Sequence, residues 1–164
     1  MLYDNHGWTY YDRGDYHRAL EMFKRAVELG GSQSRASVAF VYGKMRMFED
    51  MRREFGTWVQ LLGDSRPLAE KVARTQMAHL EDDKEALKGL LPELEAHVGE
   101  VGMSAYYIAS CYFFLGENDK GFDWLEHSYS RREVYLPNIT VDTSLDGIRT
   151  DPRYLDLVKR LGLD

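Results

Sequence analysis

Residues 2–27 read LYDNHGWTYYDRGDYHRALEMFKRAV, and this stretch decides the fold. Its spaced small and aromatic residues return 102 residues later. The first copy has Tyr3, His6, Gly7, Tyr10, Gly14, Tyr16, Ala19, Phe23 and Ala26; the second has Ala105, Ile108, Ala109, Tyr112, Gly116, Gly121, Leu125 and Ser128. That displacement is three periods of about 34 residues, a length typical of helix–turn–helix repeats. The pattern therefore predicts an all-α chain of repeated helical hairpins.

The first repeat is expected over about residues 2–31. Gly7 stands where a neighbouring helix has to approach closely, since any side chain there would hold the two helices apart. Asp15 follows the turn residue Gly14 and is suited to cap the second helix. Ala19 and Phe23 lie on one apolar stripe of that helix. Glycines at 30 and 31 then end the hairpin.

A second repeat, about 34–63, is a degenerate copy displaced by 32 residues, with Ala39 in place of Gly7 and Trp58 in place of Ala26. The third repeat, about 67–98, is the weakest, and its register stays open. Its second helix is expected from Asp83 to Val98, with Ala86 and Leu90 as packing positions. Pro92 removes a backbone donor there, which predicts a kink near Gly89 or a helix that restarts at Pro92. Residues 99–102 would close the repeat.

The fourth repeat, about 103–130, is clear again, with Ala109 and Gly121 as close-approach positions. Residues 134–149 show no helical period and are expected to be extended. Asp151 and Pro152 then begin a final helix, as N-cap and first-turn residue. Within residues 134–164 this helix would cap the open end of the last repeat. The chain is thus predicted to be one solenoid domain over residues 1–164.

Composition excludes several classes of partner and compartment. The net charge of −6 and the pI of about 5.4 disfavour nucleic acid and anionic membrane surfaces. A single cysteine, Cys111, cannot form an internal disulfide, and we expect it to be buried and inert. No apolar run has the length of a membrane span, and no signal peptide opens the chain. The expected compartment is the cytoplasm.

The repeated residues resemble the tetratricopeptide repeat (TPR) family over residues 2–129. The first and fourth repeats follow its signature W-x2-L-G-x2-Y…A-x3-F. The last repeat from Leu115 to Leu125, and the tail from Val141 to Tyr154, are similar to a bacterial variety of these arrays. Such arrays are often attached to transcriptional regulators, nucleotide cyclases or protein kinases. The resemblance implies an α-solenoid of about four hairpins that serves as a docking or regulatory module.

In TPR arrays the first helices of successive hairpins line a concave groove, and the resemblance implies which residues face it here. They are Asp4, Trp8, Tyr11, Gln33, Phe40 and Lys44 in the first two repeats, and Tyr106, Tyr107, Ser110, Phe113 and Phe114 in the fourth. An exposed aromatic surface commonly marks an interaction site. Two alternatives stay open: the aromatic residues belong to the core, or the C-terminal segment covers some of them. The expected function is a non-catalytic protein–protein interaction scaffold whose groove holds a partner peptide or helix.

Only Met1 and Leu2 precede the first signature aromatic residue, so the first repeat is expected to lack a cap. Three explanations stay open. The protein starts here with a tolerably polar helix, the chain is the C-terminal part of a longer protein, or two copies meet at this face. The last two give the alternative functions: a C-terminal sensory or regulatory domain of a bacterial regulator, and a self-associating module that forms a homodimer through its N-terminal repeat.

No catalytic, cofactor or metal pattern is convincing in this sequence. The segment from Asp142 to Gly147 has oxygen ligands at the first, third and fifth positions of a calcium loop, but its twelfth position is Arg153 instead of glutamate. His6 occupies a packing position, and we expect it to be at least half-buried. Four cations, Lys44, Arg46, Arg52 and Arg53, are interpreted as a solvated face, with binding of phosphate or an acidic peptide as the alternative. We therefore expect neither an enzyme nor a bound cofactor or metal.

Overall fold

A computed structural model describes residues 2–101 and 103–163, and every regular element in them is a helix. The α-helices are α1 (Leu2–Asp12), α2 (Tyr16–Glu28), α3 (Ser34–Lys44), α4 (Phe48–Leu61), α5 (Arg66–Leu80), α6 (Lys84–Glu95), α7 (Ala105–Leu115), α8 (Asn118–Ser130) and α9 (Pro152–Arg160). Short 3₁₀ helices span Gly63–Ser65, Leu136–Thr140 and Thr143–Ile148. The all-α prediction is confirmed. Met1, Gly102 and Asp164, which the predicted boundaries include, lie outside the described residues.

The chain divides into two compact units, Met1–Leu90 and Leu91–Asp164. In the first unit, each helix from α1 to α5 packs against its neighbour in sequence, and α3 also packs against α5. In the second unit, α7 packs against α8, and the 3₁₀ segments after α8 lie against both helices.

One turn joins the two helices of every hairpin. It places a residue in the left-handed conformation: Gly14, Arg46, Asp82 and Gly116, with φ of 74°, 58°, 62° and 80°. The N–H of the next residue, the helix cap, donates to the carbonyl five residues earlier at 2.8–2.9 Å: Asp15 to Tyr10, Met47 to Tyr42, Asp83 to Ala78 and Glu117 to Tyr112. This is the bond of a Schellman motif. Four hairpins therefore share a turn, although only two sequences supply glycine for it.

Counting from these caps gives all four hairpins one packing register. The caps stand 32, 36 and 34 residues apart, from 15 to 47, 83 and 117. Positions 4, 8 and 11 after the cap are buried in each hairpin: Ala19, Phe23 and Ala26; Met51, Phe55 and Trp58; Leu87, Leu91 and Leu94; Gly121, Leu125 and Ser128. The predicted packing positions Ala86 and Leu90 are therefore wrong by one residue, and both are only half-buried.

Glycine lets the two helices of the first and fourth hairpins approach closely, as predicted. A Cβ atom on Gly7 would lie 2.5 Å from Phe23 Cε1, and one on Gly121 would lie 2.5 Å from Phe113 Cε1. The sequence did not single out Gly43, where a Cβ would lie 2.6 Å from Leu80 Cδ1. All three sites need a residue without a side chain because a ring or a methyl group already fills the space.

The third hairpin differs from the prediction at Pro92. Helix α6 runs without interruption from Lys84 through Pro92 to Glu95, so a helix that restarts at Pro92 is wrong. Pro92 is exposed, and water can therefore bond to the carbonyl that its missing N–H leaves open. Asp83 caps α6, because its carboxylate accepts the Ala86 N–H at 3.0 Å.

Residues 134–149 are not extended, which corrects the prediction for the start of the tail. Two 3₁₀ helices, Leu136–Thr140 and Thr143–Ile148, bury apolar residues three apart. Leu136 and Ile139 form one pair and Leu145 and Ile148 the other, which is the period of a 3₁₀ helix. These four pack with Tyr106 and Ala109 of α7, Phe122 and Leu125 of α8, and Tyr154, Leu157 and Val158 of α9. The tail thus completes the core of the second unit.

Polar contacts of Arg149 and Asp151 fix the tail. Arg149 donates to the carbonyls of Thr140 and Asp142 and to the Tyr154 hydroxyl at 2.9–3.2 Å. Asp151 caps α9 by accepting the Arg153 N–H at 2.9 Å, as the sequence predicted.

Glu133 fixes the other end of the tail to the start of α7. Its carboxylate accepts the N–H groups of Ala105 at 2.9 Å and of Tyr106 at 3.0 Å, and the Ser128 hydroxyl at 2.8 Å. The first N–H groups of a helix have no partner inside the helix. One side chain thus satisfies two of them and joins α7 to the end of α8.

Candidate functional site: an aromatic patch on helices α1 and α3

Three of the predicted groove residues come together in the first unit. The rings of Trp8 and Tyr11 on α1 lie 5.2 Å apart, and the Phe40 ring on α3 lies 6.5 Å from Trp8 and 6.2 Å from Tyr11. The three pairs meet edge to face, the arrangement that aromatic quadrupoles favour. All three residues are half-buried. We call Trp8, Tyr11 and Phe40 the aromatic patch.

The repeat sequence itself builds the aromatic patch. Because Gly7 has no side chain, the fully buried Phe23 ring of α2 lies directly against α1. Trp8 then packs edge to face on Phe23 at 5.1 Å, which leaves part of its indole exposed. Phe40 follows Ala39 on α3 as Trp8 follows Gly7 on α1. The two large rings therefore occupy equivalent positions on helices that lie side by side.

Asp4 and Lys44, which were also predicted to face the groove, have different surroundings. The half-buried Asp4 carboxylate accepts a hydrogen bond from the buried Ser34 hydroxyl at the start of α3, so it ties α1 to α3. Lys44 is exposed in the last turn of α3, where a cation interacts favourably with the helix dipole. The Gln33 side chain accepts no capping hydrogen bond from the first turn of α3; its oxygen accepts the Trp58 indole N–H at 3.1 Å instead.

In the second unit the tail covers part of the predicted groove surface, which corrects two of the site residues. Tyr106 is 9 % exposed and its hydroxyl donates to Asp142 at 2.8 Å. Ser110 is 8 % exposed and donates to the Tyr106 carbonyl. Both are core residues because the 3₁₀ segments of the tail pack on α7. Tyr107 and Phe114 are half-buried, and so is Phe113, whose ring packs on Phe122 at 5.1 Å.

The register counted from the caps reveals a position that the sequence analysis missed. Trp8, Phe40 and Ser110 each lie seven residues before a cap, and the corresponding residue of the third hairpin is Gln76 on α5. Within the described residues, Gln76 Oε1 is buried and has no hydrogen-bond partner. Counting seven residues back from Asp83 in the sequence would have identified Gln76 as the equivalent position of the third repeat.

Ionisable groups elsewhere have structural roles. The Cys111 thiol is buried, as expected, and burial raises its pKa from the ordinary 9.0 to about 12. Burial, followed by a hydrogen bond to Glu95, raises the pKa of the Tyr112 phenol. His6 is exposed, so its expected packing role is wrong. Asp142, the first residue of the calcium-like segment, instead accepts the Ser144 N–H and the Tyr106 hydroxyl.

The charged side chains of the described residues form no candidate metal site. No three His, Cys, Asp or Glu side chains among residues 2–101 and 103–163 are grouped to hold a metal ion. The predicted solvated face is confirmed for its arginines. Arg46 pairs with Asp82 at 3.5 Å, Arg52 with Glu81 at 2.6 Å, and Arg53 with Asp50. None of the described helices is long and apolar enough to cross a bilayer.

Comparison with protein-family models, with curated proteins and with solved structures gives no match. The aromatic patch therefore has to be interpreted from its own geometry.

Proposed function

We propose that this chain is a TPR-like α-solenoid that acts in the cytoplasm as a non-catalytic interaction module and binds a peptide or helix of a partner protein on its aromatic patch. The observation that carries this function is the meeting of Trp8, Tyr11 and Phe40 as three half-buried rings on neighbouring helices. Large aromatic side chains dominate the energetics of protein interfaces.

The repeat architecture supports the TPR-like part of the proposal. The caps are spaced at a mean of about 34 residues, the TPR period, and four hairpins share one turn and one buried register. Stacked hairpins of this kind present the first helix of each pair along one surface. α1 and α3 are such first helices, and they carry the aromatic patch.

The physical chemistry of the patch favours a peptide partner. Its rings are already held edge to face and by Phe23 beneath them, so binding requires little further ordering of these side chains. Their exposed edges offer apolar area, which an apolar side chain of a partner would remove from water. The exposed Lys44 ammonium at the end of α3 adds a polar rim, as interfaces commonly have.

The experiment compares proteins captured from a lysate of the native organism by the wild type, by the Tyr11→Ala variant and by the Trp8→Ala/Tyr11→Ala double variant. Trp124→Ala is the matched control, because Trp124 is another half-buried aromatic residue but lies on α8. We expect a partner that the wild type and Trp124→Ala retain and that both patch variants lose. Circular dichroism establishes that each variant is folded.

Two results would contradict this function. A partner that binds the folded double variant as strongly as the wild type does not use the aromatic patch. A wild type whose elution volume falls with increasing concentration, and returns to the monomer value in the double variant, uses the patch to associate with itself.

A further inference from the structure

A second concave surface lies within the first unit, between α4, α5 and α6. It is widely open to solvent and has a volume of about 600 Å³. The floor is apolar and is formed by Phe55, Val59, Ala73, Met77, Ala78 and Leu90. Met77 and Leu90 are half-buried, and methionine adapts readily to the shape of a partner. We call this surface the α4–α6 groove; it contains no residue of the aromatic patch.

Three guanidinium groups stand on the rim of the α4–α6 groove. Arg52 pairs with Glu81 at 2.6 Å, and Arg66 pairs with Glu70 at 3.0 Å, so these two charges are already neutralised by other groups on the rim. Arg74 is exposed and forms no ion pair or hydrogen bond with any residue that the structure describes. Asp83 also lines the groove, and its carboxylate accepts the Ala86 N–H as the cap of α6. Arg74 is therefore the one charged side chain of this lining without a partner among the described residues, and it lies beside the apolar floor.

Gly56 leaves one wall of this groove without a side chain. It lies in the middle of α4, where glycine weakens a helix, and it lines the groove. Packing does not require it, because a Cβ atom there would meet no atom within 4 Å. Gly7, Gly43 and Gly121 all differ in this respect, since a Cβ on each would clash. Gly56 keeps the wall of the groove low and lets another chain reach the helix backbone.

We propose that the α4–α6 groove binds a short segment of a partner protein in which an apolar side chain is followed directly by a carboxylate. The apolar side chain lies on Met77 and Leu90 and beside Gly56. The carboxylate accepts hydrogen bonds from the Arg74 guanidinium, whose planar fork fits two carboxylate oxygens. The site is independent of the aromatic patch and of the function proposed for it.

The test uses a fluorescein-labelled, C-terminally amidated peptide, Ser-Gly-Leu-Phe-Asp, and its Asn counterpart, with binding to the full chain followed by fluorescence anisotropy. We expect the wild type to bind the Asp peptide about tenfold more tightly than the Asn peptide, the ratio typical of one charge-assisted contact. Arg74→Gln should remove this preference and bind both peptides with the weaker affinity. Arg74→Lys should restore part of it.

Two glycine variants separate occupation of the groove from a change in the fold. Gly56→Leu fills the groove and should abolish peptide binding. Gly89→Leu is the matched control, because Gly89 is also exposed in the middle of a helix with no atom within 4 Å of its Cβ position, but it does not line the groove. It should bind the peptide as the wild type does.

The proposal is overturned if no saturable binding occurs up to about 1 mM peptide, if the Asp and Asn peptides bind equally to the wild type, or if Gly56→Leu binds as well as Gly89→Leu. The Trp8→Ala/Tyr11→Ala variant should bind the peptide normally. Loss of binding in that folded variant would place the peptide on the aromatic patch and would also overturn the proposal.

Discussion

Gly7 and Gly121 occupy similar contacts in the first and fourth hairpins, but the rings above them differ in freedom. Phe23, which covers Gly7, is fully buried, whereas Phe113, which covers Gly121, is half-buried. A methyl group at either glycine forces the ring to move. Only Phe113 has solvent on one side into which it can shift.

We therefore predict that Gly7→Ala lowers the free energy of unfolding by about 1–3 kcal/mol, the usual cost of overpacking a core, and that Gly121→Ala lowers it by less. Urea unfolding followed by circular dichroism measures both. A second substitution, Phe23→Leu, should recover part of the loss in Gly7→Ala. Equal losses in the two single variants would show that ring mobility does not decide the cost.

Cys111 predicts how stability depends on alkaline pH. Burial raises its thiol pKa from 9.0 to about 12 in the folded protein, so the folded state holds its proton in a range where the unfolded chain loses it. The resulting stabilisation is fully present below pH 9 and is lost as the pH rises towards 12. The Cys111→Ala variant should therefore lose less stability than the wild type between pH 9 and pH 10.5, as measured by urea unfolding. Parallel losses would contradict this account.

Helix α7 depends on a carboxylate that lies outside it. Glu133 accepts two N–H groups of the first turn of α7, where a negative charge also interacts favourably with the helix dipole. Glu133→Ala leaves those partly buried N–H groups without a partner. We predict a loss of about 2 kcal/mol and faster hydrogen exchange at the Ala105 and Tyr106 amides.

Two variants make the test of Glu133 specific. Glu133→Gln keeps an acceptor and should lose less stability than Glu133→Ala. Glu126→Ala removes an exposed carboxylate that pairs with Arg160, so it should change the free energy of unfolding by less than 1 kcal/mol. If Glu126→Ala is as costly as Glu133→Ala, the contribution of Glu133 is general surface electrostatics.

The elements that the sequence predicted correctly are those with one possible register. In α2 the polar residues all fall on one face, so only the opposite face, which carries Ala19 and Phe23, can be buried; the polar residues are His17, Arg18, Glu21, Lys24, Arg25 and Glu28. In α6 the apolar residues Ala86, Leu87, Leu90, Leu91 and Leu94 satisfy two registers one residue apart. Periodicity alone cannot choose between those two registers. The position of the Asp83 cap decides between them, because the residues 4, 8 and 11 positions after a cap are buried in each hairpin.

The structure at the start of the tail could not be predicted from α-helical periodicity, because this segment does not have that periodicity. Leu136, Ile139, Leu145 and Ile148 recur with a spacing of three, which an α-helical pattern does not contain. The residues of the aromatic patch were predicted from the resemblance to TPR arrays, whose groove positions were carried across in the repeat register. The burial of Tyr106 and Ser110 was left open, because it depends on where a segment more than 25 residues away folds back.

At the scale of the whole molecule, the core of the second unit predicts a separable fragment. Its cluster of buried residues comes entirely from α7, α8, the tail and α9. We expect residues 83–164, which keep α6 and its Asp83 cap intact, to unfold cooperatively on heating. Leu145→Asp, which places a charge in this core, should abolish the transition, whereas Val141→Asp should preserve it because Val141 is 50 % exposed. A fragment with no cooperative transition would contradict the prediction.

The shared turn also determines where the chain tolerates changes in length. Inside each of the four hairpins, the number of residues from the carbonyl that accepts the turn hydrogen bond to the cap, and from the cap to the buried positions, is constant. The spacing between successive caps, which is 32, 36 and 34 residues, therefore varies only in the segments that join one hairpin to the next. A transposon that scatters short in-frame insertions through the gene should therefore yield folded products after α2 and after α4. The same insertions at residues 13–15 or 45–47 should yield degraded ones. Evolution could lengthen or shorten this protein at its junctions without disturbing a single hairpin.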